Sequence, residues 1–253
     1  MRLDLPTLLM ALFVTSLVLA AAVLAVAWRG RVHQGLSVWG WGLVCNAASY
    51  PAFGLRALDW PTLSIVSTNL LTASTLALHT TALMIFQRGR ARSLPLRLVW
   101  GAVLVNLLVA ALLQNDDHWR NILVAATQSV LAAGLLYQAW GPGLEGRRLT
   151  GRWVVVAGAS LLLVSLLVRT GFMVAQADWD GQYRVPDQVQ AWTYFTVLAV
   201  LLLNSMGFVL MQMERALSQQ HNLATHDGLT GVHNRLALME ALERDEAQAR
   251  RRG

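Results

Sequence analysis

The sequence predicts an all-α membrane protein, a bundle of seven transmembrane helices with the N-terminus outside and the C-terminus in the cytoplasm. Three observations predict it. Of the 253 residues, 55% are apolar and 13% charged, where a soluble domain carries about a quarter charged. The charges are gathered into short clusters between long uncharged runs, as expected where hydrocarbon penalises each charge by a few kcal/mol. The clusters also alternate in sign content along the chain.

Apolar runs of spanning length occupy 5–28, 36–57, 61–86, 98–113, 121–140, 153–177 and 191–213. The second is the least apolar and the fourth the shortest. The first begins near Arg2 and ends in small residues, like a secretory signal, but its apolar run is too long and flows into Trp28-Arg29. Cleavage there would also invert every later span.

The turns between the runs fix the orientation. Arg29 and Arg31, then Arg88, Arg90, Arg92 and Arg97, then Arg147, Arg148 and Arg152 mark one side. Arg56 with Asp59, Arg120 with Asp116 and Asp117, and Arg184 with Asp178, Asp180 and Asp187 mark the other. The positive-inside rule assigns the arginine-rich turns to the cytoplasm. Trp28, Trp39, Trp41, Trp60, Trp100, Trp140, Trp153 and Trp192 fall near span ends, where an indole finds both apolar and polar surroundings. Topogenic charge and lipid headgroups account for the basic turns, so no nucleic-acid partner is implied.

Several function classes are excluded or disfavoured. All 20 basic residues are arginine, so a retinal Schiff base has no lysine to form on. No acidic residue falls within a run, which argues against proton- or sodium-coupled transport. One cysteine, Cys45, permits neither an internal disulfide nor a cysteine metal cage. No catalytic, cofactor-binding or metal-ligating constellation is read from the runs.

The third run carries Ser64, Thr68, Thr72, Thr75 and His79 at steps of four, four, three and four, one face of a helix flanked by Asn69. The second adds Gly42, Asn46 and Ser49 before Tyr50-Pro51, where a kink is expected. The sixth has Ser165 and Arg169, and the seventh Asn204. Interhelical packing explains such a stripe, and the frequency of hydroxyls at helix interfaces favours it. The sharper reading is an intramembrane pocket bounded by Asn46, Asn69, His79, Arg169 and Asn204. Arg169 has its own simpler explanations, snorkelling or pairing with Asp178. His79 reads as a bonded interior histidine, since no second ligand accompanies it.

Beyond the last run, residues 214–226 form a polar linker with helical spacing; from the end of that run onward Leu210, Met213, Leu217, Gln220 and Ala224 fit one heptad frame, though two heptads do not establish a coiled coil. Then come Asp227, Leu229, Thr230, Gly231, Asn234 and Arg235, spaced Asp-x-Leu-Thr-Gly-x-x-Asn-Arg. Locally this is a turn and an N-capped helix start, followed by Leu236, Met239 and Leu242 at helical spacing.

The segment resembles the opening of the GGDEF domain of membrane-bound diguanylate cyclases, with Leu236 standing where the family commonly has a second arginine. The resemblance implies that 1–213 is a sensory or anchoring domain, 214–226 a signalling helix, and 227–253 the first helix of an α/β domain. It further implies a bacterial-type inner membrane, Mg²⁺ and GTP as requirements of the complete domain, and a homodimer. In that dimer two GGDEF domains meet to make cyclic di-GMP. The family's metal-binding strand and signature loop do not occur before Gly253, so this chain is expected to be a truncated cyclase that lacks catalysis. The signal is expected to be a small molecule or a membrane property. The alternative is a stand-alone membrane binding or transport protein whose last helix resembles the motif by chance.

Overall fold

The computed structural model describes residues 5–29, 35–141, 150–175, 187–225 and 239. Among them are seven α-helices, one 3-10 turn and no strand. They are α1 (Leu5–Arg29), α2 (Leu36–Gly54), α3 (Pro61–Arg88), α4 (Ser93–Leu112), α5 (Asp117–Trp140), α6 (Thr150–Ala175) and α7 (Asp187–Thr225), with the 3-10 turn at Leu55–Leu58. The GGDEF-like residues Asp227, Leu229, Thr230, Gly231, Asn234 and Arg235 lie outside the described residues, as do Arg147, Arg148 and Asp178.

Six of the helices, all but α2, are long and apolar enough to cross a membrane, the pattern of a multi-pass membrane protein. The surface agrees. Val14, Leu17 and Val18 of α1, Leu98 and Leu104 of α4, and Val164, Leu167 and Val168 of α6 are exposed. Ser16, Asn46, Asn106 and Asn204 are buried. Polar groups inside and apolar groups outside is what a lipid solvent demands.

Six helices close into a ring: α1 packs on α2, α2 on α3, α3 on α5, α5 on α6, α6 on α7, and α7 back on α1. Helix α4 stands outside, against α3 and α5, and buries only Val103, Asn106 and Ala110. Its Asn106 donates to Thr127 Oγ1 at 2.7 Å, which fixes it on α5.

Helix α2, the one described helix that falls short of a membrane span in hydropathy, is covered on both flanks. Gly40 abuts Leu24 of α1, and Gly42 abuts His79 of α3. Two ends of the α2–α3 pair are pinned: Gly35, at φ +85°, lies beneath the Ala82 carbonyl, and Ser64 Oγ donates to the Phe53 carbonyl at 3.0 Å. A helix so enclosed loses little by carrying Asn46 and Ser49. Pro51 lies within α2, leaving the carbonyl one turn earlier without its helical donor, and the helix ends three residues later.

The boundaries follow local chemistry. Pro61 opens α3 at a position where a missing N–H costs nothing, and Gly89, at φ +74°, closes it by donating to the Ile85 carbonyl at 2.8 Å. Asp116 caps α5 by accepting from Trp119 N–H at 3.1 Å. Arg152 of α6 donates to the Ala139, Trp140 and Gly141 carbonyls at the end of α5, placing a cation at the negative end of the helix dipole.

Of the tryptophans expected at span ends, Trp28, Trp41, Trp60, Trp100, Trp140, Trp153 and Trp192 are exposed, but Trp39 is fully buried. It is a core residue, not an interfacial anchor. Its ring stacks on His79 at 4.0 Å and on Phe208 at 4.3 Å, and its Nε1–H donates to Ser205 Oγ at 3.3 Å. Helices α2, α3 and α7 are joined through that one side chain.

Candidate functional site

A cavity of about 450 Å³ opens at one end of the ring. It is lined from α1, α2, α3, α5, α6 and α7, and α4 contributes nothing. The end is the one where α1, α3, α5 and α7 begin and α2 and α6 finish. It is the end away from the turns that carry Arg29, Arg88, Arg90 and Arg92.

Helix α2 supplies Asn46, Ser49, Tyr50 and Phe53 to the wall, and α3 supplies Ile65, Thr68, Asn69 and Thr72. Asn46 donates through Nδ2 to Ser16 Oγ at 2.8 Å and to the Tyr50 hydroxyl at 3.3 Å. Ser16 in turn donates to the Leu12 carbonyl at 2.6 Å, so this edge of the cavity is braced by a chain of bonds across α1 and α2. Asn69 donates to the Ile65 carbonyl at 2.8 Å and Thr72 to the Thr68 carbonyl at 2.8 Å. Two polar atoms on the wall are buried without any partner: Thr68 Oγ1 and Arg169 Nε. Arg56 also lines the cavity, exposed to the surroundings, with its guanidinium 5.3 Å from the Phe53 ring centre.

The five residues expected to bound an intramembrane pocket fall into two places. Asn46, Asn69 and Arg169 line this cavity; His79 and Asn204 do not. The reason is close helix approach in the other half of the bundle. A Cβ on Gly42 would lie 2.7 Å from His79 Cδ2, and one on Gly158 would lie 2.2 Å from Asn204 Oδ1. Glycine thus lets α2 close over His79 and α6 over Asn204, leaving no space for a ligand. His79 is buried by stacking on Trp39 with its Nε2 unpartnered. The α3 stripe divides at the same level: Thr68 and Thr72 face the cavity, whereas Thr75 donates across to the Gly42 carbonyl at 3.2 Å. One half of the stripe therefore lines the cavity and the other half packs against α2.

Asn121, Gln128, Gln190, Thr193 and Tyr194 also line the cavity and were not picked out from the sequence. A signal existed. Asn121, Ala125 and Gln128 recur at one helical face of α5, and Gln190, Thr193, Tyr194 and Val197 at one face of α7. Both sets sit near predicted span ends, where polar residues attract no notice.

Among the described residues, no group of three or more His, Cys, Asp or Glu side chains able to hold a metal occurs, and no carboxylate lines the cavity. No protein-family model, curated protein or solved structure matches the chain.

At the opposite end, α7 runs on past the bundle. At 39 residues it measures roughly 58 Å, about twice a hydrocarbon core of ~30 Å. Two adjacent residues dock it. Glu214 accepts from the Thr150 N–H at 2.8 Å and the Gly151 N–H at 3.3 Å, capping α6. Arg215 donates to the Phe86 carbonyl near the end of α3 and lies 5.1 Å over the Phe86 ring.

Proposed function

We propose that this chain is the sensory and anchoring module of a membrane diguanylate cyclase. In this reading seven spans place the N-terminus outside and the C-terminus in the cytoplasm of a bacterial-type inner membrane. Catalysis, the joining of two GTP into cyclic di-GMP, belongs to the complete GGDEF domain. The observation that carries the reading is the series Asp227, Leu229, Thr230, Gly231, Asn234 and Arg235, which follows directly on α7.

Three features support it. Helix α2, with 19 residues, is roughly 28 Å long and lies along both α1 and α3, so it serves as the seventh span. The arginine-rich turns share one side with the end of α7, giving the parity that delivers Asp227 to the cytoplasm, where GTP is found. Met213 and Leu217 stay 57% and 62% exposed on the extension of α7, an apolar seam suited to a second copy of the same helix. A signal in the bundle then shifts a two-state pairing of two such helices without touching the chemistry.

The test is a fusion of residues 1–225 to a complete GGDEF domain, with one to four residues inserted after Gln219 and cyclic di-GMP measured in cells. Output should rise and fall with insertion length at the helical repeat of about 3.5 residues. Output equal to that of the free catalytic domain at every insertion would instead favour a stand-alone binding or transport protein.

A further inference from the structure

We propose that the cavity binds a small amphipathic monoanion, a carboxylate carried on an apolar or aromatic body, with Arg169 as its charge partner. The proposal goes beyond the cyclase reading and does not depend on it.

The charge inventory sets the sign. Among the described residues, Arg169 and Arg56 are those of fixed charge on the wall, and no described acidic side chain accompanies them. A cationic ligand would meet only repulsion there. Arg169 lies on α6, between the exposed Leu167 and Val168 and the end of the helix at Ala175, at a depth where an uncompensated charge is costly. It makes no ion pair with any described residue.

The orphan atoms set the polarity. Both unpartnered buried atoms on the wall, Arg169 Nε and Thr68 Oγ1, carry a hydrogen to donate. Arg169 Nε–H has no acceptor in the protein, and a carboxylate drawn to its guanidinium brings one. A guanidinium offers Nε–H and a neighbouring Nη–H as a planar fork, which a carboxylate fits in bidentate fashion.

The rest of the wall sets the body of the ligand. Leu9, Phe53, Ile65, Leu166 and Val197 present hydrocarbon, which a bare phosphate or sulfate cannot use and an aromatic or alkyl group can. A volume of about 450 Å³ lies in the range of small-molecule sites. Asn69 and Thr72 already donate to carbonyls of their own helix, so they fill the wall without competing for the anion's charge. Arg56, exposed at the edge, attracts anions toward the opening without being enclosed by them.

The experiment uses the full chain in lipid nanodiscs, with sodium benzoate, benzamide and inorganic phosphate as probes and binding read by calorimetry. Benzoate should bind at least about tenfold more tightly than benzamide, its neutral near-isostere. Arg169→Gln should erase that preference, while Arg97→Gln, on α4 away from the cavity, should keep it. Equal binding of benzoate and benzamide, no binding of either up to about 10 mM, or an unchanged preference in Arg169→Gln would each overturn the proposal. So would phosphate displacing benzoate at equal or lower concentration, which would mark a simple oxyanion site. Should Arg169→Gln fail to fold, Arg169→Lys and Thr68→Val carry the test, since each removes one of the two orphan donors. Each should weaken benzoate at least about threefold and leave benzamide unchanged; unchanged benzoate binding in both would refute the assignment.

Discussion

Alanine at Gly151 would put a methyl group where the two helices leave no room for one. Its Cβ would lie 2.5 Å from the Gly207 carbonyl oxygen and 2.6 Å from the Met211 amide nitrogen, both backbone atoms of α7. Carbon needs about 3.5 Å to such neighbours, so α6 and α7 must part by roughly 1 Å locally. Overpacking of this kind costs about 1–3 kcal/mol. The same displacement draws Thr150 and Gly151 N–H away from Glu214, whose bonds stand at 2.8 and 3.3 Å; a hydrogen bond to a charged group is worth about 1.5–3 kcal/mol. The combined loss, about 2.5–6 kcal/mol, should lower the apparent Tm of the purified protein by at least ~5 °C. Gly101 and Gly134, with no heavy atom within 4 Å of an added Cβ, are the controls. Alanine there should be neutral or stabilising by up to about 1 kcal/mol through helix propensity alone. Thermal melts of the three variants decide it. A Gly151→Ala protein melting within about 1 °C of the native one would refute the close approach of α6 and α7.

Trp39→Ala should destabilise by about 3–5 kcal/mol, because the ring is fully buried between His79 and Phe208. Trp41→Ala, at an exposed position, should cost less than about 1 kcal/mol, and chemical denaturation in mixed micelles compares the two. Arg215→Ala releases the Phe86 carbonyl and the cation–π contact; hydrogen exchange of the α7 amides after Glu214 should quicken by at least about tenfold, with those of α3 before Phe86 little changed. The double variant Asn106→Leu with Thr127→Val removes a bonded pair together with the unpartnered Asn106 Oδ1. Its melt should stay within about 1 kcal/mol of the native protein, whereas Thr127→Val alone, which leaves Asn106 Nδ2 only the long bond to the Val124 carbonyl at 3.5 Å, should cost more.

Much of the helix layout was legible because each apolar run needs the same length to cross hydrocarbon. The ends were less so, for local reasons. Helix α4 begins at Ser93 although Arg97 seemed to close a loop; an exposed arginine on a surface helix keeps its head in polar surroundings. Helix α6 begins at Thr150 because Glu214, 64 positions away, caps it, a partner that no local window contains. The cavity was half legible. Periodicity placed Thr68, Thr72 and His79 on one face of α3, but period alone does not say where that face is covered. Glycines on neighbouring helices decide it: Gly42 closes α2 onto His79 and Gly158 closes α6 onto Asn204. Arg169, assigned from sequence to the pocket or to the simpler roles of snorkelling or pairing with Asp178, lines the cavity; Asp178 lies outside the described residues.

The central claim, seven spans that bring the end of α7 to the cytoplasm, is tested most directly by labelling single cysteines in whole cells. In a Cys45→Ser background, His33→Cys, Leu58→Cys and Leu223→Cys are exposed to a maleimide that does not cross the inner membrane. Leu58→Cys should label in intact cells, and His33→Cys and Leu223→Cys only after the inner membrane is opened. Labelling of His33→Cys and Leu58→Cys from the same side would remove α2 from the spans, and labelling of Leu223→Cys in intact cells would put the GGDEF-like segment on the wrong side of the membrane.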